Sequence, residues 1–111
     1  MNVSKLDAAF AVYNPHWAQV RHGDPFESVA LVARLAREAP DDDHLCALGV
    51  ALVECLLDCH YETIFERFLN EAEQNVNLRK ACSCAWFRLP DDLDLLLTNL
   101  IAGDDIGHRP G

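Results

Sequence analysis

Along the chain, apolar residues recur at helical spacing, and nowhere do they alternate with polar ones over a strand's length. Leu6, Phe10, Tyr13, Trp17 and Val20 follow at intervals of four, three, four and three, one continuous helical stripe. Ser4-Lys5-Leu6-Asp7 ahead of it has the layout of a capping box, with Asp7 in place of the usual Glu. Asn14-Pro15 interrupts the stripe. Proline lacks an amide donor and clashes with the preceding turn, which predicts a kink or two short helices ending near Gly23. Asp24-Pro25-Phe26-Glu27 then places Asp at an N-cap, Pro at the first helical position and Glu at the third. This segment sets Phe26, Val29, Ala30, Ala33 and Ala36 on one face as far as Glu38, and Ala39-Pro40 ends it.

Residues 43–60 are the most apolar stretch. On a helical wheel Leu45, Leu48, Gly49, Leu52, Val53, Leu56 and Leu57 cover well over half the circumference. Only a narrow strip with Glu54 and Asp58, beside Ala47 and Ala51, reads as solvent-facing. A helix apolar nearly all round belongs at the centre of a fold. Gly49 lies on the buried stripe, where it either admits a close helix approach or marks a break. Tyr61, Ile64, Phe65, Phe68, Leu69 and Ala72 make the next helix, with Glu62, Glu66, Asn70 and Glu73 opposite. Leu78, Ala81, Cys82, Ala85, Trp86 and Leu89 form a fifth stripe. A sixth starts at Pro90, carries Asp91 and Asp92 in its first turn, runs through Leu93, Leu96, Leu97, Leu100 and Ile101 and stops at Gly103. The expected fold is all-α: a compact single-domain bundle of five or six short helices over residues 1–103, with a flexible tail at 104–111. Trp17, Trp86, Phe65 and Phe68 fall on these stripes and are expected in the core.

Length and composition agree with this pattern. A 111-residue chain that is 50% hydrophobic has material for one core without staples. Met1-Asn2-Val3-Ser4-Lys5 lacks the basic-then-apolar layout of a secretory leader, and Glu54 and Asp58 interrupt the best candidate for a membrane span. A cytoplasmic protein without a membrane partner is expected.

Charge changes the picture more. Residues 38–73 carry ten acids and one base, Arg67, so the entire net charge of −9 lies in the middle third. A local negative field repels nucleic acid and anionic membrane and attracts basic surfaces. The carboxylates fall in two groups: Asp41, Asp42 and Asp43 at the positive end of a predicted helix, and Glu54, Asp58, Glu62 and Glu66 at intervals of four. The second group resembles the carboxylate ladder of metal bundles but lacks the inward Glu-x-x-His pair such sites use.

Five cysteines, at 46, 55, 59, 82 and 84, are an odd number, and in a reducing compartment they read as small buried hydrophobes. Cys55 and Cys59 are one helical turn apart and could share a metal ion. Cys82 and Cys84 point about 200° apart on a helix and cannot both join them. The CxxC spacing of zinc knuckles is absent, as are phosphate-cradling glycine loops, a Gly-x-Ser-x-Gly elbow and His-Glu-x-x-His. No cofactor, metal or catalytic residue is expected.

Leu48-Gly49, Ala51, Val53-Glu54 and Leu56-Leu57, then Ile64 and Glu66, then Asn77-Leu78-Arg79 leading to Trp86, resemble an uncharacterised bacterial family of small helical proteins, a domain of unknown function. The likeness spans residues 48–86, with Ala51-Leu52 where that family has Gly-Pro. It implies a bacterial all-helical protein and no particular activity. In size, charge and fold class the chain is also similar to small acidic immunity proteins that neutralise nuclease toxins. The leading expectation is therefore an acidic protein-binding module of the immunity or antitoxin type. Its partner-binding residues would be Asp41, Asp42, Asp43, Glu54, Asp58, Glu62 and Glu66, docking on a basic partner such as a toxin domain. The alternatives are a small metal- or thiol-dependent enzyme using Glu54, Asp58, His60 and Cys55 or Cys59, and a subunit that self-associates through an exposed apolar patch.

Overall fold

A computed structural model describes residues 4–86 and 88–108, the side chains of 104–108 excepted. Six helices account for nearly all of them, and no strand occurs among the described residues. Ser4 Oγ accepts the Asp7 N–H at 3.0 Å and starts α1 (Lys5–Tyr13). Asn14–His16 then tighten into a 3-10 turn at Pro15, and α2 (Trp17–His22) follows. This is the predicted break, and it turns the stripe: Tyr13 and Val20 are buried, while Leu6 and Trp17 are 39% and 42% exposed. Asp24 accepts from the amides of Phe26 and Glu27 to open α3 (Pro25–Glu38). Its buried face is Val29, Val32, Ala33 and Ala36. Phe26 and Ala30, expected on that face, are exposed, because Val32 rather than Ala30 completes the inward row.

The helices expected over 43–60 and 61–73 are one continuous helix, α4 (Asp42–Glu73). It contains a π turn at Gly49–Val53. A π turn takes up an extra residue relative to the α-helix, so a straight wheel loses register across it. Ala47, predicted on the same polar strip as Glu54 and Asp58, is instead fully buried. Leu45, Leu48, Leu52, Val53, Leu56, Leu57, Ile64, Phe65 and Phe68 make α4 the core of the fold, as its all-round apolarity implied. By length and composition this helix also contains a window apolar enough to cross a membrane, contrary to the sequence expectation, but half of that window is buried inside the fold.

A two-residue turn leads back into α5 (Val76–Cys84), which runs antiparallel to α4. Gly49 decides how close the two helices lie. A Cβ there would overlap the backbone carbonyl of Ala81, so only glycine permits the approach. The start of α5 ties three helices together. Asn75 caps α5 by accepting the Leu78 N–H at 3.1 Å and donates to the carbonyl of Ala33 at 3.0 Å. Asn77 donates to Ala36 O at 2.9 Å, and Arg79 donates to Ala72 O and Glu73 O at 2.6 and 2.9 Å. Carbonyls near the ends of α3 and α4 thus accept from side chains at the start of α5, and Arg79 adds positive charge at a negative helix end.

The fifth stripe was expected to run to Leu89, but α5 stops at Cys84 and the chain extends. The last helix, α6 (Asp91–His108), packs through Leu97, with Leu93, Leu100 and Ile101 half-buried against the core. Its backbone continues through Gly103 to His108, past the predicted stop, and residues 109–111 of the expected tail lie outside those described.

Candidate functional site

The connection between α5 and α6 is held at Trp86 and Arg88 by two carboxylates of α4. Glu54 Oε2 accepts the backbone N–H of Trp86 at 3.0 Å, and Asp58 Oδ1 accepts that of Arg88 at 3.0 Å. The match is geometric. Two carboxylates four residues apart on a helix are separated by ~6 Å along its axis. Glu54 meets Trp86 and Asp58 meets Arg88, so the two amides follow one another in the same direction as the two carboxylates along α4.

What the clamp displays is Trp86, 86% exposed. It was expected in the core. It lies beyond the end of α5, where the helical stripe that would have buried it no longer exists. Beside it is an open cleft of about 430 Å³ lined by Cys82, Ser83, Ala85, Trp86, Asp94, Thr98 and Ile101. Leu95 and Leu96, on the outer face of α6, are 60% and 51% exposed. A second cleft, of about 220 Å³, is bordered by Asp42, Leu45, Lys80, Ser83 and Cys84. Ser83 is common to both, so the acidic start of α4 adjoins the Trp86 cleft across the last turn of α5.

The seven acids expected to bind a partner fall into three places. Asp41, Asp42 and Asp43 sit at the start of α4. Asp41 is the N-cap: it accepts the His44 N–H at 2.9 Å and lies 2.7 Å from His44 Nδ1, and these bonds hold its carboxyl below the usual range. Glu54 and Asp58 are turned to the connection and do not form a free solvated strip. Glu62 and Glu66 are exposed on the far half of α4; Glu66 borders a shallow cleft with Phe26, Thr63, Arg67 and Asn70. From Asp43 to Glu66 is roughly 35 Å of helix. Asp42 reaches the Trp86 cleft through the shared Ser83, whereas Glu62 and Glu66 line neither of these two clefts.

The residues named for an enzyme have other partners. His60 Nε2 lies 3.0 Å from Val20 O and 3.1 Å from Arg21 O; since carbonyls only accept, this nitrogen carries the proton and closes the end of α2. Burial and the neighbouring Cys59 push the Cys55 thiol up to about 11, which leaves it un-ionised at neutral pH and a poor nucleophile. Among the described residues, no three His, Cys, Asp or Glu side chains gather closely enough to hold a metal ion. The buried-hydrophobe reading of the cysteines fits Cys82, whereas Cys46, Cys55 and Cys84 are half-buried and Cys59 is exposed.

Sequence reasoning did not find the Trp86 connection. Its one available signal was the pair Glu54 and Asp58, one turn apart on the most apolar stretch of the chain. A scan of protein-family models, a search of curated proteins and a search of solved structures each find no match to this chain.

Proposed function

We propose that this protein is an acidic protein-binding module whose contact surface centres on Trp86 and reaches to Asp94 on one side and Asp42 on the other. The observation that carries this reading is the fixed, exposed indole. Burying a tryptophan removes ~150–250 Å² from water, about 4–6 kcal/mol at ~25 cal/mol per Å², and this chain forgoes nearly all of it. Scattered exposed apolar residues are ordinary, but Trp86 stands on a backbone pinned by two carboxylates beside an open cleft. A rigid aromatic anchor of this kind is what binding hot spots are built from.

Charge selects the partner. Asp94 lines the Trp86 cleft and Asp42 the adjoining one, in a chain of net charge −9, and both favour a basic protein surface. The finer proposal is an immunity-type inhibitor: carboxylates near Trp86 occupy the place of substrate phosphates on a basic nuclease toxin. The test is a parallel affinity capture from source-cell lysate with the wild type, Trp86→Ala and Asp94→Lys. One basic protein retained by the wild type at low salt, released at high salt and lost with both variants is the expected outcome. Retention that Trp86→Ala leaves unchanged overturns the reading. Inhibition of a nuclease activity in the captured partner then separates the toxin proposal from simple binding.

Exposed Leu95 and Leu96, on the helix that borders the Trp86 cleft, favour a second reading, self-association. Sedimentation equilibrium distinguishes it: a concentration-dependent dimer abolished by Trp86→Ala assigns the anchor to a second copy of the chain.

A further inference from the structure

Two thiols outside the Trp86 cleft are brought together by the way α4 and α5 cross. At Gly49 and Ala81 the two backbones touch. One turn back along α4 from Gly49 stands Cys46, and one turn on along α5 from Ala81 stands Cys84. Antiparallel helices set such positions opposite each other, and the two thiols lie close enough to influence each other's ionisation. Both residues are half-buried, and Cys84 borders the solvent-open cleft with Asp42, Leu45, Lys80 and Ser83. The other cysteines are placed differently: Cys82 is buried in the core, and Cys55 meets Cys59 along a single helix.

We propose that Cys46 and Cys84 form a reversible cross-linking site, a dithiol that a low-molecular-weight disulfide such as oxidised glutathione converts into a disulfide between α4 and α5. A disulfide needs Cα atoms about 4.4–6.8 Å apart and side chains that point at each other. Glycine at 49 brings the helices close, and the antiparallel register aims the thiols. The reaction runs in two exchanges. Cys84, reached through the cleft, loses its proton to solvent and attacks one sulfur of the oxidant; one glutathione thiolate leaves, and a mixed disulfide remains. Cys46, deprotonated in turn, attacks the Cys84 sulfur and expels the second glutathione thiolate. Two protein thiols are oxidised by two electrons, and one glutathione disulfide is reduced to two thiols. Burial and the contact with Cys46 push the Cys84 thiol up to about 11, so the first exchange is slow at neutral pH and accelerates as pH rises. Cys84 ends α5 two residues before Trp86, so the bond would anchor the base of the connection that displays the indole.

The test is to incubate the folded protein with oxidised glutathione at mildly alkaline pH, block free thiols, digest without reductant and map the peptides by mass spectrometry. A Cys46–Cys84 linked peptide, lighter by two hydrogens than its separate parts and released by reductant, is expected to predominate. Cys46→Ser is expected to leave Cys84 as the stalled glutathione mixed disulfide, and the double variant Cys55→Ser, Cys59→Ser to form the link as the wild type does. Mixed disulfides on the wild type without a 46–84 link, or a Cys55–Cys59 link in its place, overturn the proposal. Mapping the wild type decides the matter even if a serine variant does not fold.

Discussion

At the start of α5, side chains of that helix reach out to the ends of its neighbours; past its end, side chains of a neighbour reach out to its backbone. Asn75 and Asn77 donate to carbonyls of α3, Arg79 donates to the end of α4, and Asn75 is 4% exposed. Glu54 and Asp58 hold the far side through two amides at the protein surface, and the residue they present is in water. The first arrangement locks three helices into one core, whereas the second fixes a short piece of chain without burying it. Polar groups buried in the core set what the fold can withstand, and polar groups at the rim set what it shows to others.

Gly49 gives the sharpest test of the packed side. In Gly49→Ala the new methyl meets the Ala81 carbonyl, a backbone atom that cannot rotate away, so α4 and α5 must separate. The expected loss is about 3 kcal/mol or more in urea unfolding, at the upper end of overpacking costs. Gly103→Ala is the matching control in α6, where a Cβ meets nothing within 4 Å. There helix propensity alone should act, and stability should rise by up to about 1 kcal/mol. Equal effects from the two alanines would break the comparison.

Asn75→Ala comes next. It leaves the Ala33 carbonyl and the Leu78 amide without their side-chain partner in a buried setting, and the expected cost is about 2–3 kcal/mol. On the open side, Glu54→Ala and Asp58→Ala each remove one charge-assisted bond at the surface, for about 1 kcal/mol. Their clearer signature is local: amide exchange at Trp86 and Arg88 should accelerate while the protection of α4 is kept. Slowed global unfolding, or no change at those two amides, would show that the carboxylates do not hold the connection.

How far the sequence could be read follows the same division. Stripes and caps found three helix starts that rest on a local bond, since Ser4, Asp24 and Asp41 are all side-chain caps in the structure, but not the Asn75 cap of α5. Stripes failed where the backbone left the ideal helix. The π turn moved Ala47 into the core, and the early end of α5 moved Trp86 out of it. The candidate site was the least legible part. Seven acids stood out by charge, but which of them face solvent depends on a chain segment 30 residues downstream that meets Glu54 and Asp58. Long-range hydrogen bonds leave no periodicity, so a local pattern reports the carboxylates without their task.

The smallest expected effect concerns Asp41, which joins the two regions because it caps the core helix at its exposed acidic end. Its carboxylate accepts from the backbone and ring of His44, and the charge of Lys5 adds to the effect of those bonds; together they lower its pKa from the ordinary 3.8. Buried Tyr13, whose ring meets His44 edge-on at 6.0 Å, is pushed the other way by its burial and by the Asp41 charge. A carboxyl whose folded pKa is depressed contributes stability that is fully present above its unfolded value and disappears as pH falls through the folded one. Asp41→Asn keeps an acceptor at the N-cap but removes the charge, so it isolates that contribution. Its melting temperature is expected to lie slightly below that of the wild type near neutral pH, and the gap to narrow as pH falls below 3.8 and to close only below the depressed folded value. Because the group is exposed, added salt should narrow the gap at neutral pH as well. A gap that persists unchanged into strong acid would mean that the cap acts through hydrogen-bond shape alone, and that the negative charge at this end of α4 is free for a partner.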